Sequence, residues 1–138
     1  MGYIGSEDFD PFYTNGGDCD DDFTIYVAGE AYGNGGNDTL RAYAFYAKLD
    51  GGDGNDSIYS YSGLSELFGG WGNDYIQADG IENKIYGGGN EDTIRAYGGY
   101  NEVYGEDGYD NIVVWGAANR VDGGGHNDYI EAVAAGNW

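Results

Sequence analysis

The chain has 138 residues, a length that suits one domain, and its 25 acidic against 5 basic residues give a formal net charge of −20. That field repels phosphate and the bases form no patch, which excludes nucleic acid as a natural partner. No stretch is long and apolar enough to span a membrane, no Sec signal peptide is visible, and the single cysteine, Cys19, excludes an internal disulfide framework.

Residues 1–15 are rich in Phe and Tyr and read as a degenerate coil or cap, with Asp10 and Phe12 in a worn copy of a motif that becomes clear further on. Residues 16–32 form an earlier coil, one residue short, in which Asp21 and Phe23 hold the key positions. From Gly33 the chain cuts into units of 18 residues, 33–50, 51–68, 69–86, 87–104, 105–122 and 123–138, the last lacking its final two residues, opening on Gly33, Gly51, Gly69, Gly87, Gly105 and Gly123. A fixed period near 20 residues predicts a solenoid in which each repeat is one coil.

Each coil reads as turn, strand, turn, strand. The first turn follows Gly-Gly-x-Gly-Asn-Asp, and its position six is Asp38, Asp56, Asp74, Asp92, Asp110 and Asp128 without exception. Asn90 and His126 replace glycine at position four, and both residue types tolerate the left-handed backbone region. Position eight is Leu40, Ile58, Ile76, Ile94, Ile112 and Ile130, and position ten is small or aliphatic, from Ala42 to Ala132. Two residues apart on a strand share a face, so these rows are predicted to point inward. Position seventeen (Leu49, Leu67, Ile85, Val103, Val121) supplies the second inward row. The second turn carries Asn83, Asn101, Asn119 and Asn137 nine residues after the Asp, a row of amides able to hydrogen-bond along the stack. Ala47 and Ser65 stand there in earlier coils.

Positions seven, nine and eleven are expected outside. Position eleven (Tyr43, Tyr61, Asp79, Tyr97, Trp115, Val133) and position eighteen (Phe68, Tyr86, Tyr104) would stack as aromatic rows. Position sixteen alternates in sign, Lys48, Glu66, Lys84, Glu102, Arg120, and so would place opposite charges side by side across the strands. The stacked Asp row must meet cations, or the coils would repel each other.

Gly51-Gly52-Asp53-Gly54-Asn55-Asp56-Ser57-Ile58 and Gly69-Gly70-Trp71-Gly72-Asn73-Asp74-Tyr75-Ile76 resemble the calcium-binding nonapeptide of the RTX (repeats-in-toxin) family in every position of the motif. The resemblance covers residues 16–138 and implies an all-β fold, a parallel β-roll of about seven coils. It also implies Ca²⁺ held between successive turns. The ligands would be the carboxylates of Asp21, Asp38, Asp56, Asp74, Asp92, Asp110 and Asp128 and the backbone of the turns opening at Gly33, Gly51, Gly69, Gly87, Gly105 and Gly123. Only alternate nonapeptides match, so one ion ladder is expected on the Asp edge and an Asn ladder on the other. All-oxygen coordination in a flexible loop suits Ca²⁺ better than Mg²⁺ or Zn²⁺. About half a dozen such ions would cancel over half the net charge and couple metal binding to folding.

No catalytic constellation stands out. His126 falls at a turn position with no second zinc-type ligand, and Cys19 has no evident base beside it. Asp18, Asp20, Asp21 and Asp22 read either as the first turn of the ladder or as a solvated charge run. The sequence therefore points to a non-catalytic, extracellular or cell-surface structural or adhesive β-roll, with calcium as its partner. Two alternatives stay open: a subunit stacking on itself end to end, or through its Tyr-rich face, into a filament, and the C-terminal calcium-binding module of a secreted enzyme or toxin.

Overall fold

The computed structural model describes residues 13–134, 136 and 138; Asp10, Phe12 and Asn137 lie outside the described residues. Among the described residues there are only strands: β1 (Tyr13–Asn15), β2 (Asp22–Ile25), β3 (Glu30–Gly35), β4 (Thr39–Ala42), β5 (Lys48–Asp53), β6 (Ser57–Ser60), β7 (Glu66–Trp71), β8 (Tyr75–Asp79), β9 (Lys84–Gly89), β10 (Thr93–Tyr97), β11 (Glu102–Asp107), β12 (Asn111–Trp115), β13 (Arg120–Asp122) and β14 (Tyr129–Val133). The odd-numbered strands form one seven-stranded parallel sheet and the even-numbered strands another, each in chain order. The chain is a parallel β-solenoid, as the period predicts.

Register follows the repeat. Ile76 pairs with Ile94 and Ile94 with Ile112, while Leu67 pairs with Ile85 and Ile85 with Val103. In the shorter coil 16–32, Phe23 meets Leu40. The inward rows become a column of Leu, Ile, Val and Ala between the sheets, with Leu40, Leu49, Ile58, Leu67, Ile76, Ile85, Ile94, Val103, Ile112 and Val114 fully buried. Such a column gives each coil only three or four apolar side chains, so stability depends on stacking neighbours above and below. In β14, the last strand of its sheet, Ile130 is 45% exposed where its counterparts are fully buried.

The glycine motif is not all turn. Its first three positions extend the odd-numbered strands, as Gly69, Gly70 and Trp71 do in β7. Position two is left-handed in every coil from 33 onward, at Asn34, Gly52, Gly70, Gly88, Glu106 and Gly124. At position four, Asn90 and His126 take φ of 80° and 73°, the geometry their residue types suggest.

The outer faces carry the expected ring stacks. Tyr43 and Tyr61 lie 4.7 Å apart between centroids, Phe68 and Tyr86 4.9 Å, and Tyr86 and Tyr104 5.2 Å. Val113 departs from the outward pattern, being buried at position nine between Arg95 and Glu131 in register. The alternating charges do lie side by side, Lys48 beside Glu66 and Glu102 beside Arg120. Two such neighbours, Lys48 with Glu30 and Arg120 with Glu102, are bridged rather than paired directly, because a tyrosine two residues on from the glutamate shares their face. Lys48 donates to the Tyr32 hydroxyl at 2.9 Å, which donates to Glu30 at 2.5 Å. Arg120, Tyr104 and Glu102 repeat the arrangement. Among the described residues the direct ion pair is Arg41 with Asp22.

Candidate functional site: a buried aspartate ladder

The first turn delivers every position-six aspartate to the same corner of the coil, where its side chain turns inward. Oδ1 of each accepts the backbone N–H of the aspartate one coil earlier. Asp21 donates to Asp38 at 2.7 Å, Asp38 to Asp56 at 2.7 Å, Asp56 to Asp74 at 2.8 Å, Asp74 to Asp92 at 2.9 Å, Asp92 to Asp110 at 2.9 Å and Asp110 to Asp128 at 3.0 Å. The ladder thus satisfies a backbone donor that a tight turn would otherwise bury unpaired.

In five of these aspartates the second carboxylate oxygen has no such partner. Oδ2 of Asp38, Asp56, Asp74, Asp92 and Asp110 is buried and accepts no hydrogen bond. An unpaired buried anionic oxygen is costly and calls for positive charge, either a proton or a cation. Burial is the main cause of the raised carboxyl pKa values, opposed by the ladder N–H and reinforced by neighbouring carboxylates. Asp56 is pushed up to about 6, Asp74 to about 7 and Asp92 to about 8. Asp38 and Asp110 are raised for the same reason.

The position-one glycines close this corner. A Cβ on Gly51 would collide with Asp56 Oδ2 and with the Gly69 carbonyl oxygen, and one on Gly69 with Asp74 Oδ2 and the Gly87 carbonyl oxygen. Gly33, Gly87 and Gly105 repeat the contact, and at Gly123 the collision is with Asp128. These glycines are required because a carboxylate oxygen and a carbonyl oxygen both press on the Cα. Each step therefore offers an anionic oxygen beside a carbonyl oxygen, a hard donor set of the kind Ca²⁺ takes. Among the described residues no three His, Cys, Asp or Glu side chains converge on one point, so a cation here would draw on backbone carbonyls and water as well.

Outside the buried ladder runs a second one that the sequence reading missed. Asn37 donates its backbone N–H to Asp20 Oδ1, Asn55 to Asn37, Asn73 to Asn55, and Glu91 to Asn73, at 2.8–3.1 Å. The Asn at position five, repeated in the motif, was its signal. A groove of about 500 Å³ follows this edge past Asn55, Asn73, Glu91 and Tyr109, with Asp56, Asp74 and Asp92 in its lining.

The opposite corner is the amide counterpart. Ser65 donates its N–H to Asn83 Oδ1 at 3.0 Å, Asn83 to Asn101 at 2.9 Å and Asn101 to Asn119 at 2.9 Å. Here the second side-chain atom is satisfied: Asn119 Nδ2 donates to the carbonyls of Gly98 and Gly116 at 3.0 and 3.2 Å. The two corners share the ladder hydrogen bond, but the amide's second atom is a donor that carbonyls satisfy, whereas the aspartate's is an unmet anionic acceptor. His126 lies against Tyr109, and Cys19 is exposed. Compared with known proteins, the chain matches no family model, no curated protein and no solved structure.

Proposed function

We propose that the chain is a non-catalytic, calcium-dependent β-roll of the RTX type, serving a structural or adhesive role outside the cell. The observation that carries the reading is the run of five consecutive aspartates whose Oδ2 atoms are buried and unpartnered. A formal charge of −20 adds a global demand for cations. Sites built from carbonyls and single carboxylates have modest affinity and fill where calcium is abundant, which favours an extracellular home. The test is a Ca²⁺ titration followed by circular dichroism and calorimetry, with Mg²⁺ as control. Gain of β-structure with heat of binding in Ca²⁺ alone is expected. Equal structure and melting temperature in EDTA and in Ca²⁺ would remove the metal from the function.

A further inference from the structure

The corner that carries the asparagine ladder contains a groove of about 490 Å³, on the edge opposite the aspartates. Tyr46 and Tyr100 stand at its two ends, and Leu64 and Glu82 lie between them. All four occupy position fourteen of successive coils, so the tyrosines are three coil steps, about 14 Å, apart. Glu66, Glu82 and Glu102 make the groove acidic, against Lys84 as its one base.

The backbone marks this groove as built. Position fourteen is left-handed in each coil from 33 onward: Tyr46, Leu64, Glu82, Tyr100 and Ala118 take φ of 57–62°, and Gly136 takes 83°. Glycine is the residue that fits such a site without strain, as Gly136 does. At the first turn the left-handed positions hold Gly, Asn or His, with Glu106 as the exception. At the second turn large side chains are kept where they are strained, and the four large ones all line the groove. Four of the five strained residues line the cleft, Ala118 being the fifth, and strain held along a cleft points to use of that cleft.

The side chains say what would fit. Tyr46 and Tyr100 are 68% and 65% exposed, and among the described residues neither ring stacks on another, in contrast to Tyr43 and Tyr61. Their faces are open to a ligand. Elsewhere the fold already lays cations on tyrosine, with Lys48 5.0 Å from the Tyr32 ring centre and Arg120 5.4 Å from that of Tyr104. Open aromatic faces flanking carboxylates suit a cationic ligand, and the net charge draws one in. A span of about 14 Å matches about four residues of extended chain.

We propose that this groove binds an extended peptide segment carrying arginine or lysine side chains, with Tyr46 and Tyr100 receiving the cations and Glu82 between them. The assignment stands apart from the calcium reading, since it uses the other edge of the roll.

The experiment measures binding of a fluorescent penta-arginine peptide to the full chain by anisotropy, with Ca²⁺ present and at physiological ionic strength. Tyr46→Gly/Tyr100→Gly leaves the net charge untouched and removes two strained residues. It is expected to melt higher than the parent yet bind about tenfold more weakly. Glu82→Gln is expected to weaken binding about threefold. Ala118→Gly, at the same turn position outside the groove lining, is expected to melt higher and bind unchanged. Equal binding by the parent and the double-glycine variant would overturn the proposal, because general attraction to the net charge would then explain it. A lower melting temperature in that variant would remove the strain argument. Tyrosine-dependent binding of a neutral oligosaccharide, without binding of the peptide, would replace the assignment with a glycan site.

Discussion

Replacing Asp74 with Asn isolates the charge in the ladder, because the substitution changes one buried atom and nothing of the backbone. Oδ1 of the new side chain still accepts the N–H of Asp56, and the residue's own N–H still donates to Asp92. An amide nitrogen replaces the unpartnered Oδ2, beside the Gly87 carbonyl oxygen, as Asn119 Nδ2 lies beside carbonyls in the other corner. Asp74 is 3% exposed, and its carboxyl is raised from 3.8 to about 7. At about 1.36 kcal/mol per pH unit, the charged form costs up to about 4 kcal/mol above pH 7 without a cation. Relaxation and the coupling to Asp56 and Asp92 reduce this, so Asp74→Asn should stabilise the metal-free protein by about 2 kcal/mol at pH 8. The sign with pH is fixed. A folded-state pKa above the unfolded one means that the folded chain holds the proton more tightly. The parent is therefore more stable near pH 4 and loses stability as pH rises through about 7, while the variant loses less, because only Asp56, Asp92 and the other raised carboxyls still titrate in it. In saturating Ca²⁺ the order should reverse, because the variant has lost an anionic ligand. Urea melts of both proteins at pH 4 and pH 8, in EDTA and in Ca²⁺, give the four differences between parent and variant. A variant less stable than the parent in EDTA at pH 8, or one equally stabilised at pH 4 and pH 8, would refute the reasoning.

Other expectations follow from the same geometry. Gly69→Ala pushes a methyl group into Asp74 Oδ2 and the Gly87 carbonyl and should cost about 1–3 kcal/mol in urea melts. Gly17→Ala, where an added Cβ meets nothing within 4 Å, should stay within about 0.5 kcal/mol of the parent. Asn101→Ala strips the acceptor from the Asn83 N–H and leaves a cavity in the amide ladder, so it should cost about 2–3 kcal/mol at any pH and with or without Ca²⁺. Ala118→Gly relieves a left-handed alanine at φ 59° and should raise stability by about 0.5–1 kcal/mol, read as a melting shift of a few degrees.

Most of the solenoid was legible because its period is written in residue types that return at fixed positions of each coil. An aliphatic residue at positions eight and seventeen and an aspartate at position six return every 18 residues, and each governs a different part of the coil. Opposite charges at position sixteen confirmed the register, although their pairing through Tyr32 and Tyr104 was not readable, since it depends on a hydroxyl two residues further along the same face. The inward direction of the aspartates was also hidden. Sequence shows that a carboxylate recurs at a glycine-rich turn, which fits an outward ligand and an inward ladder equally well. What decides between them is the contact of Oδ2 with the Cα of the position-one glycine, a packing relation between residues five apart with no signature beyond the glycine itself.

The second turn was the least legible, for a reason that bears on what it does. A turn is found in sequence when its special backbone positions hold residues that relieve them, as Gly52 and Asn90 do at the first turn. At position fourteen the residues are Tyr, Leu, Glu, Tyr and Ala, none of which favours the left-handed region that the fold imposes. Local preference and global fold disagree there in five successive coils, whereas they agree almost everywhere else along the chain. Such conflict marks side chains that a use can hold in place, and four of the five, all but Ala118, line the groove. Only Gly136 suits the position, and it lies beyond the groove that Tyr46, Leu64, Glu82 and Tyr100 enclose. The failure of sequence reasoning at this turn and the presence of a lined groove along it therefore have one physical cause: side chains held in place against the preference of their own backbone.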